Sequence, residues 1–542
     1  FVTICTPSDS APPPATDSTA SRESALSPTD GSAALARRLA DALRTAGAHV
    51  AIGPAQAGRP TVAGRLVDVV LDLRPLDLPE LRPNSPDDAP FVAAVAAAVR
   101  DHARLAADLP GGKLVAVVPD ASIGGAAVAG AVRCARRERP ELALASLHLQ
   151  PGCPAELLAA ALLAADRETD VRLGPDGRHV RRLARVRHPG GRPPAMRGPV
   201  VVSGGLGALG LIAAEELARR GATALVLLGR SAPTPDAAAR IDALRARGCA
   251  VDVVQVDIAD AAALSAALAG RRIAGIVHSA GVLDDAPLAD HDLARVTRVL
   301  APKLQGALAL QRAAPDAEFF VLFASVAGLW GNARQLAYGA ANAALDALAH
   351  WRRARGLPAV SLDWGPWSGA GMAARTGALR WAAAQGMDAL GPDDGAALLG
   401  RLLLPGPAQL GVFSFDPARL DTDDPFLERF VARKTSTATT PADLIREAVG
   451  AAFQIAPERL DLDVSLIDLG LDSVLALDLR TRLQRALGLE LSVQDLLRGP
   501  TLRDISGLVI PSAPTSHTDV DTLSDAEVEA MLSALMRTEG RT

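Results

Sequence analysis

VVVSGGLGALG, residues 200–210, joins an apolar strand to a glycine-rich turn, and a helical pattern follows directly over residues 211–220. Gly205, Gly207 and Gly210 match GxGxxG in the strand–turn–helix context that gives this spacing a physical meaning. Glycines there allow a tight turn and let the backbone approach a pyrophosphate, which the positive end of the helix attracts. The stretch predicts a dinucleotide-binding α/β fold. The alternative is a close-packed turn without a ligand.

Short apolar runs alternate with helical segments on both sides of this turn, from residue 33 to about residue 417. The alternation predicts parallel sheets with helices on both faces. A second cycle begins at residue 198, so we expect two tandem Rossmann-like, doubly wound halves, residues 1–197 and 198–420. The first half has the Ser/Pro-rich residues 6–30 where the glycine turn would lie. We therefore expect a structural first half with a disordered insertion that binds no nucleotide.

The composition is that of a soluble globular protein. The chain has 542 residues, of which 49% are hydrophobic and 22% charged, and its formal net charge is -5. This charge excludes a protein-wide basic field for nucleic acid or anionic membranes. The four cysteines are too sparse for a disulfide framework, no spacing suits a metal, and no apolar run is long enough to span a membrane. We expect a cytoplasmic protein without a metal site. Its start at Phe1 suggests a piece of a longer polypeptide.

Candidate cofactor contacts occur in the glycine turn and at the ends of three later strands. Arg230 and Ser231 follow the strand predicted at residues 225–228, where a carboxylate is typical of an NAD site. A guanidinium there suits the 2′-phosphate of NADPH, so we expect NADPH. The alternative for Arg230 is a solvated surface residue. The other candidates are Gly204, Gly205, Leu206, Gly207, Leu209, Asp257, Ile258, His278, Ser279, Ala280 and Gly281.

Tyr338, the single tyrosine of the chain, lies thirteen residues after Ser325 and four before Asn342. Reduction of a ketone needs a proton donor for the developing alkoxide and a hydrogen bond to the carbonyl oxygen. A tyrosine is a weak acid unless a nearby cation lowers its pKa, and Lys303 is the only lysine between residues 114 and 433. We expect Lys303 to lie beside Tyr338 and to lower its pKa. The alternatives are a core aromatic residue and a surface charge.

The second half resembles the ketoreductase domains of modular polyketide synthases and animal-type fatty acid synthases, which belong to the short-chain dehydrogenase/reductase superfamily. In these domains an asparagine replaces the usual lysine four residues after the tyrosine, and the lysine lies upstream, as Asn342 and Lys303 do here. The resemblance implies that Tyr338 is the proton donor, that Ser325 hydrogen-bonds the carbonyl, and that Lys303 and Asn342 support Tyr338 and a proton relay. It covers about residues 1–420 and rests on the motifs GGLGALG, HSAGVLDDAPL, APKLQGALAL, FASVAGLWGNARQLAYGAANAALDALA and DWGPWSGAGMA.

Stereochemical markers of this family conflict in the chain. The LDD motif at 283–285 resembles B-type domains, which give D-configured alcohols, whereas Trp330 is associated with A-type domains. We favour the B type because LDD shapes the side from which the tethered substrate enters. Position 340, two residues after the tyrosine, is Ala rather than Pro, and in this family this argues against the epimerising B subtype. The stereocontrol residues that the resemblance implies are Leu283, Asp284, Asp285, Trp330 and Gln335. Residues 365–367 and 373–385 resemble the segment that covers the nicotinamide and the substrate.

A second motif, DLGLDSV at residues 468–474, precedes a stripe of leucines with a four-residue spacing. Asp472-Ser473 could simply be a helix N-cap. The motif also resembles that of acyl carrier proteins, whose serine bears 4′-phosphopantetheine, and this implies Ser473 as the attachment residue. We expect a linker at 421–440, a four-helix carrier domain at 441–510, and a linker with a short helix at 511–542.

The sequence thus predicts a ketoreductase–acyl carrier didomain that uses NADPH to reduce a β-ketoacyl thioester held on Ser473. Expected partners are its own carrier-bound substrate, ketosynthase and acyltransferase domains, a phosphopantetheinyl transferase and a second copy in a homodimeric megasynthase. One alternative is an inactive structural reductase with a working carrier, against which the intact set of site residues argues. Another is a fragment of a fatty acid synthase. The insertion and the terminal helix favour a modular synthase over it.

Overall fold

The structure is a computed structural model in which the chain forms two compact units, residues 1–434 and 435–542, described separately below. It describes residues 2–6, 25–26, 31–46, 48–54, 61–62, 65–66, 69–82, 85, 87–164, 166–186, 196–369, 379, 382–383, 386–403, 406–417, 424–430, 440–453, 455, 457–471, 473–487 and 491–508. No helix in these ranges has the length and hydrophobicity needed to cross a membrane.

The first half of the larger unit is a sheet flanked by helices. Its strands are β1 (Val2–Thr6), β2 (Ala25–Leu26), β3 (Val50–Pro54), β4 (Thr61–Val62), β5 (Arg65–Leu66), β6 (Val69–Asp72), β7 (Gly112–Pro119), β8 (Leu142–Leu149), β9 (Cys153–Pro154), β10 (Asp170–Gly174) and β11 (Gly177–Val180). Its helices are α1 (Gly31–Thr45), α2 (Ala89–Asp108), α3 (Ile123–Glu138) and α4 (Ala155–Leu163). Among the described residues, the strand order is β11-β10-β8-β7-β6-β1-β3, and only the edge strand β11 is antiparallel.

The second half repeats this plan. Its strands are β12 (Val200–Ser203), β13 (Ala224–Gly229), β14 (Ala250–Gln255), β15 (Gly275–His278), β16 (Phe319–Ser325), β17 (Val360–Trp364), β18 (Met387–Asp388), β19 (Gln409–Val412) and β20 (Ser414–Phe415). Its helices are α5 (Ala208–Arg219), α6 (Pro235–Ala246), α7 (Ala261–Leu268), α8 (Leu293–Leu300), α9 (Gly306–Ala313), α10 (Val326–Leu329), α11 (Leu336–Arg353) and α12 (Pro392–Leu402).

The sheet of the second half is parallel, with the order β14-β13-β12-β15-β16-β17-β19 across the strands that the structure describes. Chain order reverses between β12 and β15, and open α/β sheets bind ligands outside the carboxyl ends of the strands at such a point. The predicted pair of Rossmann-like halves is confirmed. The fold places the glycine turn after β12 at the point where a cofactor is expected.

The two halves meet where α3 packs against α11. A Cβ atom on Gly130 of α3 would lie 2.6 Å from the carbonyl oxygen of Gly339 and 2.7 Å from the Cβ of Ala343, so the helix backbones approach closely only because Gly130 has no side chain. Arg133 Nη1 adds a hydrogen bond of 2.8 Å to the carbonyl oxygen of Gly328. The first half therefore supports the helix that carries Tyr338.

Two expectations about segments between elements change. The disordered insertion expected at 6–30 lies mostly outside the described residues, but β2 within it pairs with β9, because backbone groups of Ala25–Leu26 find partners in that strand. In the expected linker 421–440, residues 424–430 pack on the first half. Asp424 pairs with Arg136 and Arg137 at 2.6 and 2.9 Å, and the Arg181 guanidinium lies 4.6 Å from the ring centre of Phe426. Ion pairs and a half-buried aromatic ring hold this segment in place.

The smaller unit is helical over its described residues. Its helices are α13 (Pro441–Phe453), α14 (Ser473–Leu487), α15 (Val493–Leu497) and α16 (Leu502–Gly507), and they confirm the expected small helical carrier after the two halves. Leu479 and Leu483 of the leucine stripe are fully buried and pack with Ile445, Val449 and Leu496. The predicted helix at the C-terminal end, within 511–542, lies outside the described residues.

Candidate active site

In the turn between β12 and α5, the backbone around the glycines leaves no room for a side chain at their positions. Gly204 has φ +67°, and a Cβ atom there would lie 2.9 Å from the backbone of Ala280. A Cβ on Gly205 would lie 2.7 Å from the carbonyl oxygen of Val202. Gly207 caps α5, and no side chain among the described residues accepts from its first turn, so those N–H groups remain available to an anion. The turn therefore fits the pyrophosphate of a dinucleotide.

The leucine side chains of the turn pack against the core of the second half. A Cβ on Gly229 would lie 2.7 Å from Leu206 Cδ1, so Leu206 packs closely on the end of β13. Leu209 is also half-buried against the same core cluster. Their expected contact with a cofactor would have to come from their backbone atoms.

His278, expected at the cofactor site, is fully buried and links the end of β12 to the turn that carries Lys303. Its Nδ1 lies 2.7 Å from Ser203 Oγ and its Nε2 lies 2.8 Å from the carbonyl oxygen of Lys303. These partners assign the proton to Nε2, with Ser203 donating to Nδ1. Ser279 Oγ also donates, at 2.7 Å, to the carbonyl oxygen of Ser203. Both side chains are thus engaged inside the protein, and only the backbone of 278–281 is left for a cofactor.

The remaining cofactor candidates differ in exposure. Arg230 and Ser231 are exposed after β13, and Arg230 makes no ion pair with any residue that the structure describes. Asp257 is exposed, and its Oδ1 accepts from the N–H of Ala259 at 3.0 Å. Ile258 is buried against Gly306. Arg230 is therefore the exposed cation beside the turn that could meet a phosphate.

The four predicted catalytic residues come together at the carboxyl edge of the second sheet. Ser325 ends β16 and caps α10 by accepting from the N–H of Ala327. Tyr338 and Asn342 are one helical turn apart on α11, and Asn342 Nδ2 donates to the carbonyl oxygen of Tyr338 at 2.7 Å. Lys303 Nζ lies 5.4 Å from the centre of the Tyr338 ring. The upstream lysine is thus brought to the tyrosine, as expected.

Lys303 lies in a π-helical turn, Ala301–Gln305, between α8 and α9. Such turns are rare and occur mostly at functional sites. Its ammonium group is buried and donates to the carbonyl oxygen of Phe323 at 2.8 Å. Burial lowers the pKa of Lys303 to about 8, although the carboxyl groups of Asp346 and Asp363 act in the opposite direction. The ammonium group therefore lies over the face of the tyrosine ring, bonded to a strand carbonyl.

The expected lowering of the Tyr338 pKa is wrong in direction. Burial raises the pKa of Tyr338 above its ordinary value, while hydrogen bonds from the side chains of Ser325 and Asn342 act to lower it. Burial dominates because an anionic phenolate would lose its hydration. The phenol is thus held in its protonated form, which is the form a proton donor needs.

The stereochemical markers occupy different surroundings. Asp284 is paired with Arg295 and Arg298 of α8, whereas Asp285 Oδ2 accepts from Gln335 Nε2 at 3.0 Å, three residues before Tyr338. The Trp330 ring is buried under the guanidinium of Arg137, 5.3 Å away, and packs with Met387 and Leu427. Leu283 is half-buried. The LDD segment, not the tryptophan ring, is linked to the tyrosine helix.

The expected cover over the site is described only in part. Trp367 is buried in the core, where a Cβ on Gly395 would collide with its ring, so this indole does not cover a cleft. Its ring centre lies 5.0 Å from that of Trp364, in an edge-to-face contact. Most of 373–385 lies outside the described residues.

A buried pair of acids, which the sequence patterns did not predict, lies near this site. Asp346, two turns after Tyr338 on α11, accepts from Ser361 at 2.6 Å, and Asp363 accepts from Gln409 at 2.8 Å. Burial raises the pKa of Asp346 to about 6, and burial with the neighbouring Asp346 charge raises that of Asp363 well above its usual value. Two like charges this close in a buried place oppose each other, so the pair resists full ionisation. The four-residue spacing of Tyr338, Asn342 and Asp346 was the available signal.

His278 gives a pH-dependent prediction. Burial lowers its pKa to about 3 from 6.5, so below pH 6.5 the unfolded chain binds a proton that the folded chain does not. Stability is therefore lost as the pH falls through this window. We expect His278→Asn to lower the free energy of unfolding, relative to the wild type, by about 2 kcal/mol more at pH 7 than at pH 5.

Urea unfolding followed by tryptophan fluorescence measures this difference, because all five tryptophans lie in 330–381, within the larger unit. His350→Asn, an exposed histidine on α11, is the matched control. If His278→Asn loses the same free energy of unfolding at pH 7 and at pH 5, the imidazole of His278 is not buried in its neutral form.

Comparisons with known proteins agree with this geometry. Residues 198–369 match the family model described as KR domain, and residues 443–509 match the phosphopantetheine attachment site. The structure titled "The first ketoreductase of the tylosin PKS" is 31% identical, with a TM-score of 0.59, and the alignment covers 77% of this chain and 90% of that one. A structure of A-type ketoreductases from a modular polyketide synthase is 28% identical, with a TM-score of 0.58, covering 74% of this chain and 84% of that one.

The chain belongs to the ketoreductase–acyl carrier didomains of modular polyketide synthases. Among curated relatives, erythronolide synthase EryA3 of Saccharopolyspora erythraea is 34% identical over 70% of this chain. Polyketide synthase GfsB of Streptomyces halstedii is 35% identical over 62% of it. The chain spans 13% and 7% of the lengths of these two relatives. Both are polyketide synthases, which favours this family over a fatty acid synthase fragment.

The carrier match encloses the predicted attachment motif. Gly470, with φ +91°, turns the chain just before α14, which begins at Ser473. Only glycine adopts this backbone conformation easily, so the motif needs Gly470 for its shape. A serine at the first residue of a helix is the position that the carrier motif implies for the attachment residue.

Proposed function

We propose that the second half reduces a β-ketoacyl thioester to a β-hydroxyacyl thioester with NADPH, and that the thioester is carried on 4′-phosphopantetheine attached to Ser473. The convergence of Ser325, Tyr338 and Lys303 beside the glycine turn carries this proposal. An inert scaffold would not require a buried ammonium group, a half-buried phenol and a hydroxyl at one sheet edge.

A nicotinamide dinucleotide would supply the hydride when bound. The backbone of 204–210 and the free N–H groups of the first turn of α5 would hold its pyrophosphate, and the backbone of 278–281 would lie alongside. Arg230 would take the 2′-phosphate that distinguishes NADPH from NADH, by a charge-assisted contact. Its exposure and lack of an ion pair within the described residues support this role.

The residues of the chain would handle the ketone oxygen and its proton. The Ser325 hydroxyl would donate to that oxygen, and Tyr338 would transfer its phenolic proton to it as the alkoxide forms, which yields the alcohol. The phenolate left behind would be stabilised by Ser325, Asn342 and the ammonium group of Lys303. Asn342 Oδ1 is buried without a hydrogen-bond partner among the described residues, so it offers an acceptor to a relay water that returns the proton.

We further propose a D-configured, non-epimerised product, as in B-type domains. The bond between Asp285 and Gln335 supports a role of the LDD segment near Tyr338, and the Trp330 ring packs under Arg137 instead. Proposed partners are the ketosynthase and acyltransferase domains of a synthase, a phosphopantetheinyl transferase and a second copy of the chain.

The decisive experiment is single-turnover reduction of a β-ketoacyl-pantetheine surrogate by the full chain, with chiral analysis of the product. We expect stoichiometric NADPH oxidation, a D-configured alcohol and slower reaction with NADH. Arg230→Ala should reduce the preference for NADPH over NADH. Arg219→Ala should leave this preference unchanged, because Arg219 pairs with Glu216 on α5. No oxidation would favour the inactive structural reductase with a working carrier.

A further inference from the structure

Glu138, the last residue of α3 in the first half, holds two backbone segments of the second half with one carboxylate. Its Oε1 accepts from the N–H of Leu288 at 2.8 Å, and its Oε2 accepts from the N–H of Arg334 at 3.0 Å. Leu288 follows the LDD segment, and Arg334 lies four residues before Tyr338. A single side chain from the structural half thus bridges the two segments that lead to the proposed reacting centre.

Arg334 has a backbone conformation that needs such support. Its φ is +65°, in the left-handed region that residues with a side chain rarely adopt. Its N–H donates to Glu138, and its carbonyl oxygen accepts from the N–H of Ala286 at 2.9 Å. Ala286, Leu288, Arg334 and Glu138 therefore form a closed set of hydrogen bonds, which we call the Glu138 clamp.

The Glu138 clamp adjoins the bonds that reach the tyrosine helix. Gln335, next to Arg334, donates to Asp285 Oδ2 and accepts from Asn332 Nδ2, both at 3.0 Å. Residues 284–288 are thus fixed on one side by Gln335 and on the other by Glu138. A shift of the clamp would move Asp285 relative to Tyr338.

We propose that Glu138 is a positioning residue that sets the geometry of residues 284–288 against Tyr338 and so fixes which face of the ketone is reduced. This inference rests on the proposed ketoreductase function. The chemistry of a carboxylate suits the role, since each of its oxygens can accept from one of the two N–H groups. A glutamine has one accepting oxygen, and its amide N–H₂ would face the other N–H group.

The test uses Glu138→Gln and Glu138→Ala in the full chain, with Glu141→Gln as matched control, because Glu141 lies three residues on and pairs with Arg139. We expect faster amide hydrogen exchange at Leu288 and Arg334 and an eroded product diastereomer ratio in both Glu138 variants. We also expect kcat/KM to fall by about 10- to 100-fold for the carrier-bound substrate. The control should match the wild type in all three measurements.

A rescue variant separates positioning from general stability. Arg334→Gly removes the conformational strain that the clamp offsets, so Glu138→Ala with Arg334→Gly should regain part of the lost diastereomer ratio. If the wild type is active and Glu138→Gln leaves the diastereomer ratio unchanged, the positioning role is refuted but the proposed function is not. Faster amide hydrogen exchange without any loss of selectivity would refute the positioning role in the same way. An inactive wild type would instead refute the proposed function.

Discussion

Replacing Tyr338 with phenylalanine should lower the rate of ketone reduction by about 10²- to 10⁴-fold, the range that a positioned general acid contributes. The substitution removes one hydroxyl group and retains the ring over which the Lys303 ammonium group lies. Folding should persist for this reason. Dinucleotide affinity should also persist, because the backbone of another segment, the glycine turn, is proposed to hold the dinucleotide. The effect should therefore fall on kcat, with little change in NADPH affinity.

Rapid-quench turnover, NADPH fluorescence titration and thermal unfolding measure these three quantities. Trp351→Phe is a matched control, since it replaces another aromatic residue of α11 that stacks on Arg355, 3.9 Å away, outside the site. Its turnover should equal that of the wild type. A Tyr338→Phe variant that retains more than a tenth of wild-type turnover would mean that water or another side chain donates the proton.

Local sequence patterns predicted the architecture well because the relevant interactions are local. The glycine turn after an apolar strand predicted a dinucleotide fold, and the alternation of strands and helices predicted two parallel sheets. The structure confirms the α/β fold and the two largely parallel sheets. The leucine stripe correctly predicted the long carrier helix, α14.

Interactions between distant parts of the chain were beyond such patterns. Glu138 contacts Leu288 and Arg334, which are 150 and 196 residues away, and nothing in the spacing of these residues connects them. The packing of residues 424–430 on arginines of the first half was missed in the same way, since its Ser/Thr-rich surroundings resemble a linker. Contacts at this separation are fixed only by the assembled sheets.

The sequence predicted which ionisable groups meet at the site, but not the direction of their pKa shifts. The chain's scarce lysine and tyrosine predicted a Lys303–Tyr338 pair, and the structure brings the two together. The sequence could not show how far each group is removed from water: Lys303 is buried and Tyr338 is half-buried. Desolvation raises the pKa of the phenol and lowers that of the ammonium group.

Replacing Ser473 with alanine should abolish loading of the carrier and all reduction of tethered substrate. Two roles are consistent with its place at the start of α14, a helix N-terminal residue and a phosphopantetheine attachment residue. Loss of a helix cap would lower stability by about 1 kcal/mol and leave loading intact. Loss of the attachment hydroxyl would remove the covalent product altogether, which intact-mass measurement after incubation with a phosphopantetheinyl transferase and coenzyme A would show.

Ser492→Ala supplies the matched control within the same unit. Ser492 caps α15 and forms a capping box with Asp495, so its removal should weaken a helix start while loading proceeds as in the wild type. In Ser473→Ala, a diffusible β-ketoacyl thioester should still be reduced, because the residues of the reductase are unchanged. Its rate at low concentration should remain far below that of loaded wild type, since a tether provides an effective concentration of about millimolar. If the Ser473→Ala chain is still loaded, phosphopantetheine is attached to another residue, and Ser473 is only a helix-terminal residue.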